Sequence, residues 1–145
     1  MTPQEARARF STARVARLAT ITAEGAPRLV PITFAVLPSL EPAELGMIVT
    51  AVDHKPKRTT RLRRLDDIAR EPRVTLLADE YDDDWTRLWW ARAEGVARVV
   101  EPADQLHASV VRALTDRYRQ YREHPPAGPA ILISVTRWSG WAYTG

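Results

Sequence analysis

The chain of 145 residues has no cysteine. That excludes a disulfide framework, thiolate metal sites and thiol catalysis, and it fits a reducing cytoplasm. Lysine is almost missing too. Lys55 and Lys57 flank Pro56, and the other 19 of the 21 basic residues are arginine. No apolar run approaches the roughly 18–20 residues that a membrane span needs, and the polar N-terminus does not read as a signal peptide. Spaced-glycine nucleotide fingerprints, a P-loop and a serine nucleophile elbow are all lacking. His54, His107 and His124 are scattered without ligand spacing, and the acidic run at residues 79–84 lacks the alternation of a calcium loop. Hydrolase chemistry and a metal centre are therefore not expected.

What is present is the mix of an ordinary globule, 45% hydrophobic and 27% charged. The length predicts one domain over residues 1–145. A net charge of +3 is too small to argue for nucleic acid. Abundant Ala, Arg and Pro with scarce Lys points to a GC-rich coding sequence, and against that background two lysines in one tripeptide stand out.

Thr2-Pro3-Gln4-Glu5 reads as a helix start, with an N-cap Thr, Pro at the first position and Glu three residues after the cap. This helix is expected to end near Ser11. Residues 14–22 and 28–36 read as strands joined by turn chemistry at residues 23–27. Pro38 and Pro42 mark a loop, and residues 46–52 another strand. Residues 59–70 take helical spacing through Leu62, Leu65, Ile68 and Ala69. Residues 73–79 and 88–101 read as strands around the acidic loop. A helix follows Pro102, with Leu106, Val110, Ala113, Leu114, Tyr118 and Tyr121 on its apolar face. Residues 130–143 form the last strand. Five or six hairpin-linked strands and about three helices predict a mainly β fold, an antiparallel barrel with flanking helices.

Three places carry candidate chemistry. In the strand-to-helix connection from Thr50 through Lys55, Lys57 and Arg58, cations gather where a helix start already favours anions. Either a phosphate or polycarboxylate sits there, or a solvated basic face pairs with the acidic run. Pro31 interrupts a strand, marking an edge, a bulge or a ligand approach. Trp85, Trp89, Trp90, Trp138 and Trp141 either pack the core or stack on a planar ring.

Taken in order, Arg17-Leu18-Ala19-Thr20, Gly25-Ala26-Pro27, Val30-Pro31-Ile32-Thr33-Phe34, Thr50 with the basic stretch, Glu71-Pro72-Arg73-Val74 and Arg92-Ala93-Glu94-Gly95-Val96-Ala97 resemble the pyridoxamine-5′-phosphate-oxidase-like split β-barrel family of flavin and deazaflavin proteins. The resemblance covers most of the chain, from about Ala13 to Glu101. Residues 53–65 and 81–90 look most like the branch using the deazaflavin coenzyme F420. It implies an FMN-binding type of split barrel and a cytoplasmic homodimer with its site at the subunit interface. The expected reaction is hydride transfer between reduced coenzyme F420, or alternatively FMN, and a small organic substrate. A non-catalytic cofactor-binding protein is the other alternative. By position, Pro31, Ile32 and Thr33 would run along the ring. Thr50, Ala51, Val52, Asp53, Lys55, Lys57 and Arg58 would hold the phosphate, with Arg64 a second-choice cation. Trp90 stands where the oxidase branch often has a ring-binding glutamine, which argues against a pyridoxamine-phosphate oxidase. Trp138 and Trp141 would reach the partner's ring. No side chain is assigned as catalytic acid or base, and no metal, membrane or nucleic-acid partner is implied.

Overall fold

The computed structural model describes residues 1–38, 45–52 and 62–144. Asp53, Lys55, Lys57 and Arg58 lie outside the described residues. Helix α1 (Pro3–Thr12) starts with the expected reciprocal cap: the Glu5 amide donates to Thr2 Oγ1 and the Thr2 amide to Glu5. Strands β1 (Ala16–Ile21) and β2 (Pro27–Ile32) form the first hairpin, followed by β3 (Ala35–Leu37) and β4 (Met47–Ala51). Helix α2 (Arg63–Arg70) leads to β5 (Arg73–Glu80) and the long β6 (Trp89–Val100). Helices α3 (His107–Arg117) and α4 (Arg119–Glu123) precede β7 (Ala130–Ala142).

Every strand pair is antiparallel, and the sheet order is β2-β1-β5-β6-β7-β4-β3. This order closes the barrel. Its two edge strands, β2 and β3, are consecutive in the chain and separated only by Thr33 and Phe34. Three Cα steps from Ile32 to Ala35 span at most about 11 Å. A seven-stranded sheet whose ends are that close has curled upon itself, leaving a seam where the two edges meet. The sequence reading ran one strand through residues 28–36. The structure divides it at this seam, which is why seven strands stand where five or six were expected.

Strand alternation fills the interior. Leu18, Leu76, Ala91, Ala93, Ile131 and Ile133 point inward and are almost wholly buried. From α1, Phe10 packs against Phe34 and Trp138, with ring centroids 4.8 and 5.3 Å away. A second cluster covers the outside of β3, β4 and β7, where Val110 and Leu114 of α3 meet Val49 and Leu132. The β6–β7 ladder shifts register between Glu94 and Gly95, and a Cβ on Gly95 would lie 2.6 Å from the Ser134 carbonyl oxygen. Only glycine fits that close approach.

Candidate functional site

The seam is held by side chains. Thr50 Oγ1 donates to the Thr33 carbonyl at 2.6 Å. The Thr33 hydroxyl meets the Tyr121 hydroxyl at 2.7 Å. The Phe34 amide donates to the Tyr118 hydroxyl at 3.1 Å, and that hydroxyl's proton is shared between the Phe34 and Arg14 carbonyls at 3.0 and 2.9 Å. Arg117 donates to the carbonyls of Phe34 (2.7 Å), Ser11 (2.9 Å) and Ala13, with its guanidinium over the Phe34 ring. Burial lowers the Arg117 pKa from its ordinary value, but guanidinium stays charged at any pH that proteins survive.

From the β2 edge of the seam, the outer face of the sheet carries a continuous row away to β7. Register places Pro31, Arg17, Leu77, Arg92 and Ser139 side by side across five strands. Asp79, Trp90 and Trp141 form the adjacent row. Pro31 is exposed on edge strand β2, where its missing N–H costs no ladder bond on the open side. Arg92 lies over the Trp90 ring at 5.1 Å. Its Nε, and Ser139 Oγ across the ladder, are shielded from solvent yet find no hydrogen-bond partner among the described residues. Native chains rarely leave such atoms unsatisfied without a ligand, water or partner to meet them. Trp141 is 43% exposed and meets the edge of Tyr143. This face offers flat aromatic surface, a guanidinium and a hydroxyl on β6 and β7, in the middle of the sheet.

On the other side, Asp67 anchors α2. Its buried carboxylate accepts from Arg28 Nε (2.7 Å), Thr20 Oγ1 (3.0 Å) and Arg70 (3.1 Å), and Arg70 also donates to the Ile21 carbonyl. Burial opposes its ionisation, but the hydrogen bonds from Arg28, Thr20 and Arg70 outweigh it and hold the pKa below the usual carboxylate value. The C-terminal half of α2 is thereby tied to the β1–β2 hairpin.

The expected site residues thus fall into groups. Pro31, Trp90 and Trp141 share the outer face, and Thr33 and Thr50 meet at the seam. Ile32 points into the core, 6% exposed, and Ala51 is buried under α3. Val52 is half-buried and its amide donates to the Pro129 carbonyl. Arg64 is half-exposed on α2. Trp138 is 3% exposed, packed on Phe10, with Nε1 donating to the Leu45 carbonyl. Its ring faces the barrel interior of its own chain, away from the face that carries Trp141. His107 is buried, with Nε2 against the Gly128 carbonyl. The sequence reading did not single out Arg92, Ser139, Arg117 or Tyr121 for the site. Only the β6 alternation that pairs Trp90 with Arg92 on one face could have found any of them.

Among the described residues no cluster of His, Asp or Glu could hold a metal, and no helix is long and apolar enough to cross a membrane. Compared with known structures, the fold is similar to a conserved hypothetical protein of Mycobacterium tuberculosis (24% identity, TM-score 0.74, covering 99% of this chain and 86% of that one). It is also similar to an FAD-binding protein of Mesorhizobium loti (14%, TM-score 0.69, 97% and 92%). A third similar structure is the heme storage protein of Vibrio cholerae (15%, TM-score 0.67, 98% and 95%). No curated protein matches the chain. Residues 2–142 match the family model described as pyridoxamine 5′-phosphate oxidase, so the chain belongs to that family of split β-barrels.

Proposed function

We propose that the protein is an oxidoreductase that uses coenzyme F420 to transfer a hydride to or from a small organic substrate, working as a homodimer. The observation that carries this reading is the outer face of β6 and β7, at the far end of the register row that begins at Pro31. There the Trp90–Arg92 stack and the unsatisfied Arg92 Nε and Ser139 Oγ lie in register with Pro31. Those groups suit a planar heterocycle with carbonyl and ring-nitrogen acceptors. The FAD-binding neighbour and the family match support flavin-type binding in general. The deazaflavin assignment rests on the sequence resemblance at residues 53–65 and 81–90.

Bound coenzyme would supply the hydride chemistry. The chain's own residues then have three tasks. Trp90, Pro31 and the Thr33 backbone would orient the ring. Lys55, Lys57 and Arg58, with Arg64, would neutralise the phosphate. A second copy laid on the outer face would bury Leu77 and Trp141 and exclude water. No side chain is assigned a proton transfer.

Titrating the purified protein with coenzyme F420 and, separately, with FMN tests this directly. Saturable fluorescence quenching by the deazaflavin at micromolar concentration, with a dimer by light scattering, is the expected result. Protein that purifies yellow with FMN assigns the site to flavin instead. Binding without hydride transfer to any acceptor would make it a carrier, and binding of neither chromophore overturns the reading.

A further inference from the structure

Barrel edges ordinarily pair through a ladder of backbone hydrogen bonds. Here β2 and β3 do not pair with one another, and the Thr33–Phe34 corner between them has no ladder of its own. Its polar groups are met by side chains instead. The Thr33 carbonyl takes Thr50, the Thr33 hydroxyl takes Tyr121, the Phe34 amide takes Tyr118, and the Phe34 carbonyl takes Tyr118 and Arg117. Three of the four partner side chains come from one stretch, Arg117 to Tyr121, at the break between α3 and α4. That break has no proline or glycine. Tyr118 leaves helical geometry at φ −117°, ψ 118°, and the same residue's hydroxyl reaches the corner.

We infer that Arg117, Tyr118 and Tyr121 form a clasp that sets the geometry of the barrel's seam. Through it they act as positioning residues for the ring-facing segment Pro31–Thr33. The inference rests on the cofactor reading above. The clasp is rigid because each donor is itself restrained. Arg117 is tied to Ser11 and Ala13 at the end of α1, and the Tyr118 ring lies between Arg14, 4.6 Å away, and Tyr121, 5.8 Å away. Thr33 is the point of transmission. One oxygen pair joins it to α4, and its hydroxyl keeps two further hydrogen-bonding positions. Tyr121 therefore decides which way the Thr33 hydroxyl is turned toward anything bound at the seam.

Tyr121→Phe removes one hydroxyl and leaves the ring. Arg117→Lys keeps the charge but cannot span three carbonyls. Two measurements on the full chain test the clasp. Amide exchange of the ligand-free protein, read at Phe34 and its neighbours, should accelerate at least tenfold in Arg117→Lys while the β5–β6 amides hold steady. Binding of coenzyme F420 and FMN by fluorescence should weaken about tenfold in Tyr121→Phe with an almost unchanged melting temperature. The double variant Thr33→Val/Tyr121→Phe should bind no worse than Tyr121→Phe alone, because both act through one oxygen pair. Parent-like affinity in a folded Tyr121→Phe, or unchanged exchange at Phe34 in Arg117→Lys, overturns the clasp. If the parent protein binds neither chromophore, the cofactor reading has failed and the positioning role falls with it. Exchange at Phe34 tells these two failures apart.

Discussion

Two polar anchors flank the candidate site, and they are built from opposite chemistry. Asp67 is a buried carboxylate between two arginines and a threonine, and it ties α2 to the β1–β2 hairpin. Arg117 is a half-buried cation that no carboxylate pairs with among the described residues. It is satisfied by three main-chain carbonyls and the faces of Phe34 and Tyr118. In the first, a buried carboxylate is balanced by two arginines that stay partly in water. In the second, one charge is distributed over dipoles that cannot titrate. A carbonyl clasp has a constant strength across the pH range in which carboxylates ionise, whereas a carboxylate anchor does not.

The largest effect is expected from Arg117→Met. It keeps much of the side chain's volume but orphans the carbonyls of Ser11 on α1 and Ala13 in the following loop, and leaves the Phe34 carbonyl at the seam with Tyr118 alone. Each orphaned buried acceptor costs about 1–3 kcal/mol, so a loss of about 3–5 kcal/mol is expected in denaturant unfolding. A loss under about 1 kcal/mol would mean that water refills the site freely, and the two anchors would then differ in kind less than their geometry implies. Asp67→Asn should follow at about 2 kcal/mol, because Thr20 and Arg28 keep an acceptor of the same shape but lose its charge.

The pH dependence separates them. Asp67 has a folded pKa below its unfolded value. Its contribution is therefore complete above the unfolded pKa, about 3.9, and is lost as pH falls through the lower folded value. The stability gap between parent and Asp67→Asn should shrink as pH drops below about 4, while the gap to Arg117→Met stays level. Parallel slopes for both variants would erase the distinction between the anchors.

Much of the fold was legible because strand alternation and hairpin turns are local signals. The β1–β2 and β5–β6 hairpins and the capped α1 follow from short windows of sequence. The seam does not. Val30 to Val36 is apolar and β-branched enough to read as one strand, and only closure of the whole sheet forces it apart at Thr33–Phe34. Arg117 and Asp67 were unreadable for a related reason. Helical periodicity assigns charged positions to solvent, and what buries these two lies about 50 to 100 residues away in sequence for their main partners, as with Thr20 and Ser11. Ala69, expected on the buried face of α2, is exposed, and Asp67 takes that burial instead. The tryptophans were more tractable than the reading made them. Trp138 and Trp141 stand three apart in one strand, an odd spacing that sends them to opposite faces. Position alone could have put one in the core and left the other for the site.

The smallest effect is expected just beyond α2, where Arg73 grips Glu71 with geometry as good as that at Asp67. Arg73 sends Nε, a terminal nitrogen and its backbone amide to the two carboxylate oxygens, at 3.1, 2.6 and 3.2 Å. Those bonds hold the Glu71 pKa below its ordinary value. Yet the Arg73 side chain is 82% exposed, so water competes for every donor and salt screens the pair. Arg73→Ala should leave the denaturation midpoint unmoved within error at physiological salt. A shift approaching that of Asp67→Asn would show that hydrogen-bond geometry sets the strength of these contacts. An unmoved midpoint locates the strength in burial, which is nearly complete at Asp67, partial at Arg117 and lacking at Arg73.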